Sequence, residues 1–378
     1  MKRQGYITIQ TLIGLCKKLE DPRREGGNKQ HELTDILATA LLGTVCGCEG
    51  WGEIVAYARS KENFLRTFLP LPNGIPSEWT FRRMFARILP DALEDVYRQW
   101  VTPYVGSCYA KQIDIDGKTV CGVTKRSDMR LHMVSAWIRE DGISLGQIRT
   151  AEKSNEITAI PQLIESLDVR GGTITIDAMG CQREIASTIV EKEATYILAV
   201  KGNHPTLYTE IEEYFAWAVN DPIEKGRLSV HQETCFDHGR TTKWRVVSTK
   251  DTVWFESKAD WAGLQSFIMV ECSQKDKDKH HVQRRFYISS MDTDAQHFHQ
   301  CIRGHWSIEN QLHWTLDVAF REDQCLIHDG SAPQNLSLLR KMALTLLRTD
   351  TSVNASIARK RKLAGWDDSF ALRLFSGA

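Results

Sequence analysis

The spacing of apolar positions changes twice along the chain. Over residues 7–19, 33–46, 51–68, 78–88 and 90–100 they recur every three or four residues, the period of helices with one buried face. Asp21-Pro22 ends the first of these runs, and Pro70-Leu71-Pro72 with Gly74 punctuates the third. Ser77 is placed to cap 78–88, and Pro90 to open the helix after it. Residues 1–105 therefore read as an all-helical N-terminal domain, with a basic, glycine-containing loop at 21–31. From about 106 the period becomes two. Residues 111–116, 131–138 and 143–150 predict three strands, followed by helix 155–167, strand 173–177, helix 182–191 and strand 195–201.

Three meandering strands and then helix–strand–helix–strand predict an α/β sheet of mixed direction. The succession fits a ribonuclease H-like sheet, in which the first strand lies beside and parallel to the fourth. The alternation breaks over residues 203–292. There a helix at 205–217 leads into strand-like runs at 229–235, 244–249, 267–272 and 282–289, with a charged hairpin tip at 275–281. This block reads as a β-rich insertion, with the chain returning to the catalytic sheet at about 293. The catalytic domain then spans 106–202 and 293–350. Helices at 335–349 and 354–362 follow, and residues 351–378 read as a helical basic tail containing Arg359-Lys360-Arg361-Lys362.

The segment 303–317, read as a helix, separates into rows at four-residue spacing. Ile308, Leu312, Leu316 and Phe320 form an apolar edge; His305, Glu309, His313 and Asp317 form a polar edge beside it. Trp306, Asn310, Trp314 and Val318 make a mixed third row. Such a helix can carry an acid into a site. Two further acids end strand-like runs: Asp116 in Gln-Ile-Asp-Ile-Asp-Gly-Lys (112–118) and Asp177 in Thr-Ile-Thr-Ile-Asp-Ala-Met-Gly (173–180). With the first and fourth strands adjacent, Asp116, Asp177 and Glu309 predict an oxygen-only triad for hard divalent cations. Two such ions would serve phosphoryl transfer without a covalent nucleophile. Asp114 shares the strand face of Asp116; the Gly-Lys turn expected after Asp116 favours Asp116. Taken singly, each Asp reads as a turn residue bonding the backbone. A rival arrangement places zinc on His305, Glu309 and His313, but zinc helices carry the base beside the first His and a third ligand elsewhere.

Composition changes little. The chain has 378 residues with 48 Lys+Arg against 48 Asp+Glu, so no global excess of positive charge points to nucleic acid. Phosphate contacts need only local patches, and Lys118, Lys201, His238 and Arg240 are the candidates near the triad, with His305 and His313 as further phosphate contacts. Arg82, Arg83 and Arg87 lie on the fourth predicted helix and could face DNA or solvent. Ten Cys without a Cys-x-x-Cys pair suggest reduced thiols in the cytoplasm. No signal peptide is read, and residues 33–46 are too short to span a bilayer.

Long motifs resemble one family over nearly the whole chain. They include Asp-Pro-Arg-Arg (21–24), Ile-Asp-Ile-Asp-Gly-Lys-Thr (113–119), Thr-Ile-Asp-Ala-Met-Gly-Cys-Gln (175–182), Lys-Gly-Asn (201–203), His-Gly-Arg (238–240), His-Trp-Ser-Ile-Glu-Asn (305–310) and Leu-His-Trp-Thr-Leu-Asp-Val (312–318). They resemble the H-repeat-associated proteins of Rhs elements, which are similar to bacterial insertion-sequence transposases of the Asp-Asp-Glu type. The resemblance implies a ribonuclease H-like core, a β insertion before the Glu helix, and Mg²⁺ or Mn²⁺ on Asp116, Asp177 and Glu309. It also implies double-stranded DNA of element ends and target as substrate, a homodimer on DNA, and a cytoplasmic, nucleoid-associated protein. Two alternatives to a transposase are a structure-directed nuclease using the same triad and an inactive DNA-binding remnant. Related transposases often carry Tyr seven and Arg four residues before the Glu, and Lys seven after. Here Ile302, His305 and Leu316 stand there, so those DNA contacts do not carry over.

Overall fold

Nine strands form one sheet in the structure, a computed structural model that describes residues 7–24, 29–124, 131–150, 156–237, 240–276 and 279–376. They are β1 (Gln112–Thr119), β2 (His132–Ile138), β3 (Ile143–Thr150), β4 (Thr173–Ile176), β5 (Thr195–Val200), β6 (Ser229–Asp237), β7 (Arg240–Thr249), β8 (Ser266–Asp276) and β9 (Lys279–Ser289). Their order is β3-β2-β1-β4-β5-β9-β8-β7-β6. β1 runs parallel to β4, and β4 to β5; the other pairs are antiparallel. The first strand thus lies beside and parallel to the fourth, as the succession of elements predicts.

The strands of the 203–292 block extend this same sheet. β9 pairs with β5 through Leu198↔Ile288, so the chain rejoins the sheet before residue 293. The expected return near 293 is corrected: it marks the approach of the helix Ala295–Gly304, which packs on β6 and β7.

Every residue of β2 is buried, because helices cover both faces of the sheet there. In the N-terminal part, Ser77 caps Glu78–Phe85 by accepting from the Thr80 N–H, and Pro90 opens Pro90–Val105. Leu33–Val45 buries twelve residues and packs against Ala332–Thr349. One apolar cluster runs from Ile7 to Phe375, joining these helices to the sheet. The C-terminal residues form two helices, Ile357–Trp366 and Asp368–Ser376, packed into that cluster. Lys360 and Arg361 are buried there, and Arg361 donates to the carbonyls of Thr44, Cys48 and Ala319. Half of the basic run is therefore tied to backbone oxygens inside the protein. Among the described residues the ten cysteines form no disulfide. Among them no helix is long and apolar enough to cross a membrane.

Candidate active site

β1 does not end at Asp116. It continues through Gly117, Lys118 and Thr119, paired to β2 as far as Thr119↔His132. The Gly-Lys pair is strand, not turn. What ends at this level is the pairing with β4: the last parallel pair is Ile115↔Ile176, and Asp177 follows β4 immediately. Asp116 and Asp177 are consequently the next residues on neighbouring parallel strands. Gly117 is needed for another reason, since a Cβ there would collide with Glu156 and His132.

Alternation puts Gln112, Asp114, Asp116 and Lys118 on one face of β1. The segment carrying Glu309 lies across this face. Gln112 Nε2 donates to the Cys301 carbonyl at 2.8 Å. Asp114, fully buried, accepts from Gln112 Nε2 at 2.6 Å, Thr175 Oγ1 at 2.7 Å and Ser307 Oγ at 2.7 Å. Thr175 gives its proton to Asp114, so its oxygen is left to accept from His305 Nδ1 at 2.8 Å. Two residues beyond Asp116, Lys118 Nζ reaches Asp317 at 2.6 Å and Glu322 at 2.9 Å. The Glu309 segment is thus fastened to β1 on both sides of the glutamate. Gly304 allows the close approach, because a Cβ there would strike Arg139 and Gln112.

Between the two fastenings, Ile308–His313 is a π-helical turn. The apolar edge Ile308, Leu312, Leu316 and Phe320 is buried as the spacing predicts. The polar edge disperses. His305 faces Thr175 and Asp114, His313 faces Asp116, Asp317 faces Lys118, and Glu309 opens into a cavity of about 630 Å³. π-Turns are uncommon and recur at functional sites, where the extra residue re-aims a side chain.

Asp177 and Glu309 line that cavity together with Lys201, Arg284, Arg285 and Trp306. Asp177 also caps the short turn Ala178–Gly180, accepting from the Met179 N–H at 3.0 Å. Asp116, one residue past the last β1–β4 pair, neighbours Asp177. Burial pushes the Asp116 carboxyl up to about 7; the Gly117 N–H pulls it down, and like charges on Asp177, Glu309 and Glu156 push it up again. Asp177 and Glu309 therefore both lie within electrostatic reach of Asp116. The three acids are wider apart than a preformed cage: among the described residues only His231, Glu233 and His299 bring three ligand atoms within 4.8 Å of one another.

His313 Nδ1 lies 3.5 Å from Asp116 Oδ2. Burial holds its imidazole down to about 3, with Lys341 and Lys118 adding to the effect. A neutral His beside a raised carboxyl is not an ion pair, despite the short distance. Among the described residues, His305, Glu309 and His313 do not converge as zinc ligands.

The remaining basic candidates divide. Lys201 lines the cavity. Lys118 has only 11% of its side chain exposed and is neutralised by Asp317, Glu322 and Asp323. Burial alone would lower its pKa, but Glu322 and Asp317 hold it above the ordinary lysine value. Arg240 opens β7, and only its backbone is described; His238 lies outside the described residues. Sequence reading missed Arg284 and Arg285 on β9; the visible signal was a basic pair in a strand-like run. It also missed that Asp114 is the clasp; the shared strand face was the available signal.

Residues 15–101 match the family described as DDE_Tnp_1-associated, and residues 111–346 match the family described as Transposase DDE domain. The chain belongs to the Transposase DDE domain family. It is 38% identical over 362 residues to "Putative transposase YncI" of Escherichia coli O157:H7, covering 94% of this chain and 92% of that one. It is 34% identical over 364 residues to "H repeat-associated putative transposase YhhI" of Escherichia coli strain K12, covering 94% and 95%. A cryo-EM structure of the piggyBac transposase synaptic complex with hairpin DNA aligns at a TM-score of 0.42 and 13% identity, over 97% of this chain and 81% of that one, too distant a likeness to argue from. The DDE family match spans all three acids of the site.

Proposed function

We propose that this DDE-family protein cuts DNA strands at the ends of an insertion element and joins the freed 3′-hydroxyl to target DNA, with Asp116, Asp177 and Glu309 holding Mg²⁺ or Mn²⁺. The observation that carries this reading is the charge convergence at Asp116. Two acids from elements 61 and 193 residues further along the chain both raise its carboxyl, and both line one open cavity. The donor set fits a hard cation: it is oxygen-only, and its self-repulsion is what positive charge would relieve. A divalent cation there supplies Lewis-acid activation of the attacking oxygen and neutralises charge on the leaving one. The order β3-β2-β1-β4-β5, with β1, β4 and β5 parallel, supports reading the sheet as ribonuclease H-like.

The protein's own residues prepare the site. Asp114 and Lys118 fix the segment on either side of Glu309 to the strand that carries Asp116. His313, neutral, shields one side of Asp116 from solvent. Lys201 and Arg285 line the cavity around the acids and would receive the phosphates of a bound strand; Arg284, also in its lining, is held by Glu271 at 2.9 Å. A second basic surface fits the DNA flanking the cut. Arg23, Arg24, Lys29, Arg83 and Arg87 line a groove of about 650 Å³ beside the exposed Trp79. Arg82 is not part of it; its guanidinium pairs with Asp329 at 2.7 Å.

The test uses full-length protein, duplex carrying the cognate element end, a target plasmid and Mg²⁺ or Mn²⁺. Cut ends and joined products are expected, and none with Asp116→Asn, Asp177→Asn or Glu309→Gln. Cutting without joining would favour the structure-directed nuclease; binding without cutting would favour the remnant.

A further inference from the structure

β6 is an edge strand, and its alternation puts His231, Glu233 and Cys235 on one face. The helix Ala295–Gly304 packs on β6 and β7 and presents His299 to that face. His299 Nε2 lies 2.6 Å from Glu233 Oε2. The His231 and His299 rings are 5.0 Å apart between centroids. One ligand atom from each of His231, Glu233 and His299 falls within 4.8 Å of the others, a convergence unique among the described residues.

The surroundings orient these groups. Glu233 Oε1, the oxygen turned away from His299, accepts from Arg303 Nη1 at 3.3 Å and Cys235 Sγ at 3.4 Å. Trp244, opposite Glu233 on β7, meets the His299 ring edge-on at 6.1 Å and carries the Arg303 guanidinium at 5.5 Å over its own face. Arg303 is thereby kept on the far oxygen, leaving Oε2 to His299. Carboxylates held by such outer partners make better-oriented metal ligands.

We infer that His231, Glu233 and His299 form a binding site for a zinc-class transition metal that pins the β6–β7 edge hairpin to the helix leading into the Glu309 segment. Two imidazole nitrogens and one carboxylate oxygen suit zinc, with a fourth position open to water. The same set is poor for Mg²⁺, which takes oxygen ligands. This distinguishes the site from the acidic triad by donor chemistry as well as by place. On binding, His299 shifts to the tautomer protonated at Nδ1, so that a metal takes the place of the proton between Nε2 and Glu233. Clipping an edge hairpin to a helix stiffens a strand that otherwise has one unpaired side.

The experiment is zinc retention by full-length protein carrying Asp116→Asn, Asp177→Asn and Glu309→Gln, dialysed in excess Mg²⁺, so that the triad contributes nothing. One equivalent of zinc is expected, with loss of most of it after His231→Ala or His299→Ala. Cobalt substituted for zinc should give a visible spectrum of nitrogen and oxygen coordination. Zinc absent after dialysis, or retained equally by the two histidine variants, overturns the proposal. So does a strong sulfur-to-cobalt charge-transfer band, which would mean cysteine ligands. If the histidine variants fail to fold, the zinc count and cobalt spectrum of the histidine-intact protein still decide.

Discussion

Ser307 donates a 2.7 Å hydrogen bond to Asp114, and this bond fixes the chain two residues before Glu309 to the strand that carries Asp116. Asp114, Asp116 and Lys118 are alternate residues of β1, with the middle one in the site and the outer two holding the helix that completes it. The first aspartate of the Asp-Ile-Asp motif thereby acquires a role. It positions Glu309 and does not itself face the cavity.

Ser307→Ala should therefore impair catalysis without removing any acid. A hydrogen bond to a charged group is worth about 1.5–3 kcal/mol, so cleavage should slow by roughly ten- to a hundred-fold. The Mn²⁺ concentration for half-maximal rate should rise, while DNA affinity stays within about two-fold of wild type on the energy scale of surface substitutions. An unchanged metal requirement would show that Ser307 only supports the fold.

Lys118→Met should unfold the protein more easily and leave DNA binding alone. Glu322 is buried; burial raises its carboxyl, but Lys118, Arg340 and Lys341 hold it down to about 2. Removing Lys118 leaves Glu322 without its nearest cation, a change that typically costs about 3–5 kcal/mol. Thermal denaturation reads the loss. A DNA salt slope shallower by about 0.9 would instead place Lys118 on a phosphate.

The pH dependence follows from Asp116. Its carboxyl sits at about 7 in the folded chain, against about 3.9 unfolded. Between these values the folded state holds a proton that the unfolded state has released, so the Asp116 contribution to stability falls as pH rises. Cation binding must displace that proton and should strengthen as pH passes about 7. The gain in Tm on adding Mg²⁺ should be small at about pH 5.5 and full at about pH 8, and absent in Asp116→Asn. Equal gains at both pH values in wild type would contradict this.

Much of this was legible in the sequence. Alternation and helical spacing located the strands and the Glu309 helix, and adjacency of the first and fourth strands followed from the succession of elements. Asp-Gly looked like a turn because glycine usually breaks strands, yet Gly117 is strand with Glu156 and His132 packed against it. The π-turn at Ile308–His313 has no spacing signature, so the polar row looked continuous where it is split. Lys118 looked free because the acids that neutralise it lie 199 and 204 residues away. The helix Asp368–Ser376 carries two buried phenylalanines, Phe370 and Phe375, whose partners come from distant packing.

DNA contacts should separate by salt dependence. Arg83→Ala with Arg87→Ala should weaken binding to element-end duplex and make the log–log salt slope shallower by about 1.8 if each meets one phosphate. Lys201→Ala should change the slope by about 0.9. No change in slope for the arginine pair would remove the N-terminal groove from the DNA path.

The central claim is that Asp116, Asp177 and Glu309 together hold the cation. Mn²⁺ binding to full-length protein with element-end DNA at about pH 8, above the Asp116 value, measured by the loss of the free-ion EPR signal, tests it directly. Wild type should take up Mn²⁺, and Asp116→Asn, Asp177→Asn and Glu309→Gln should each lose most of that uptake while remaining folded and DNA-bound. Wild-type uptake in any one of the three variants would contradict it.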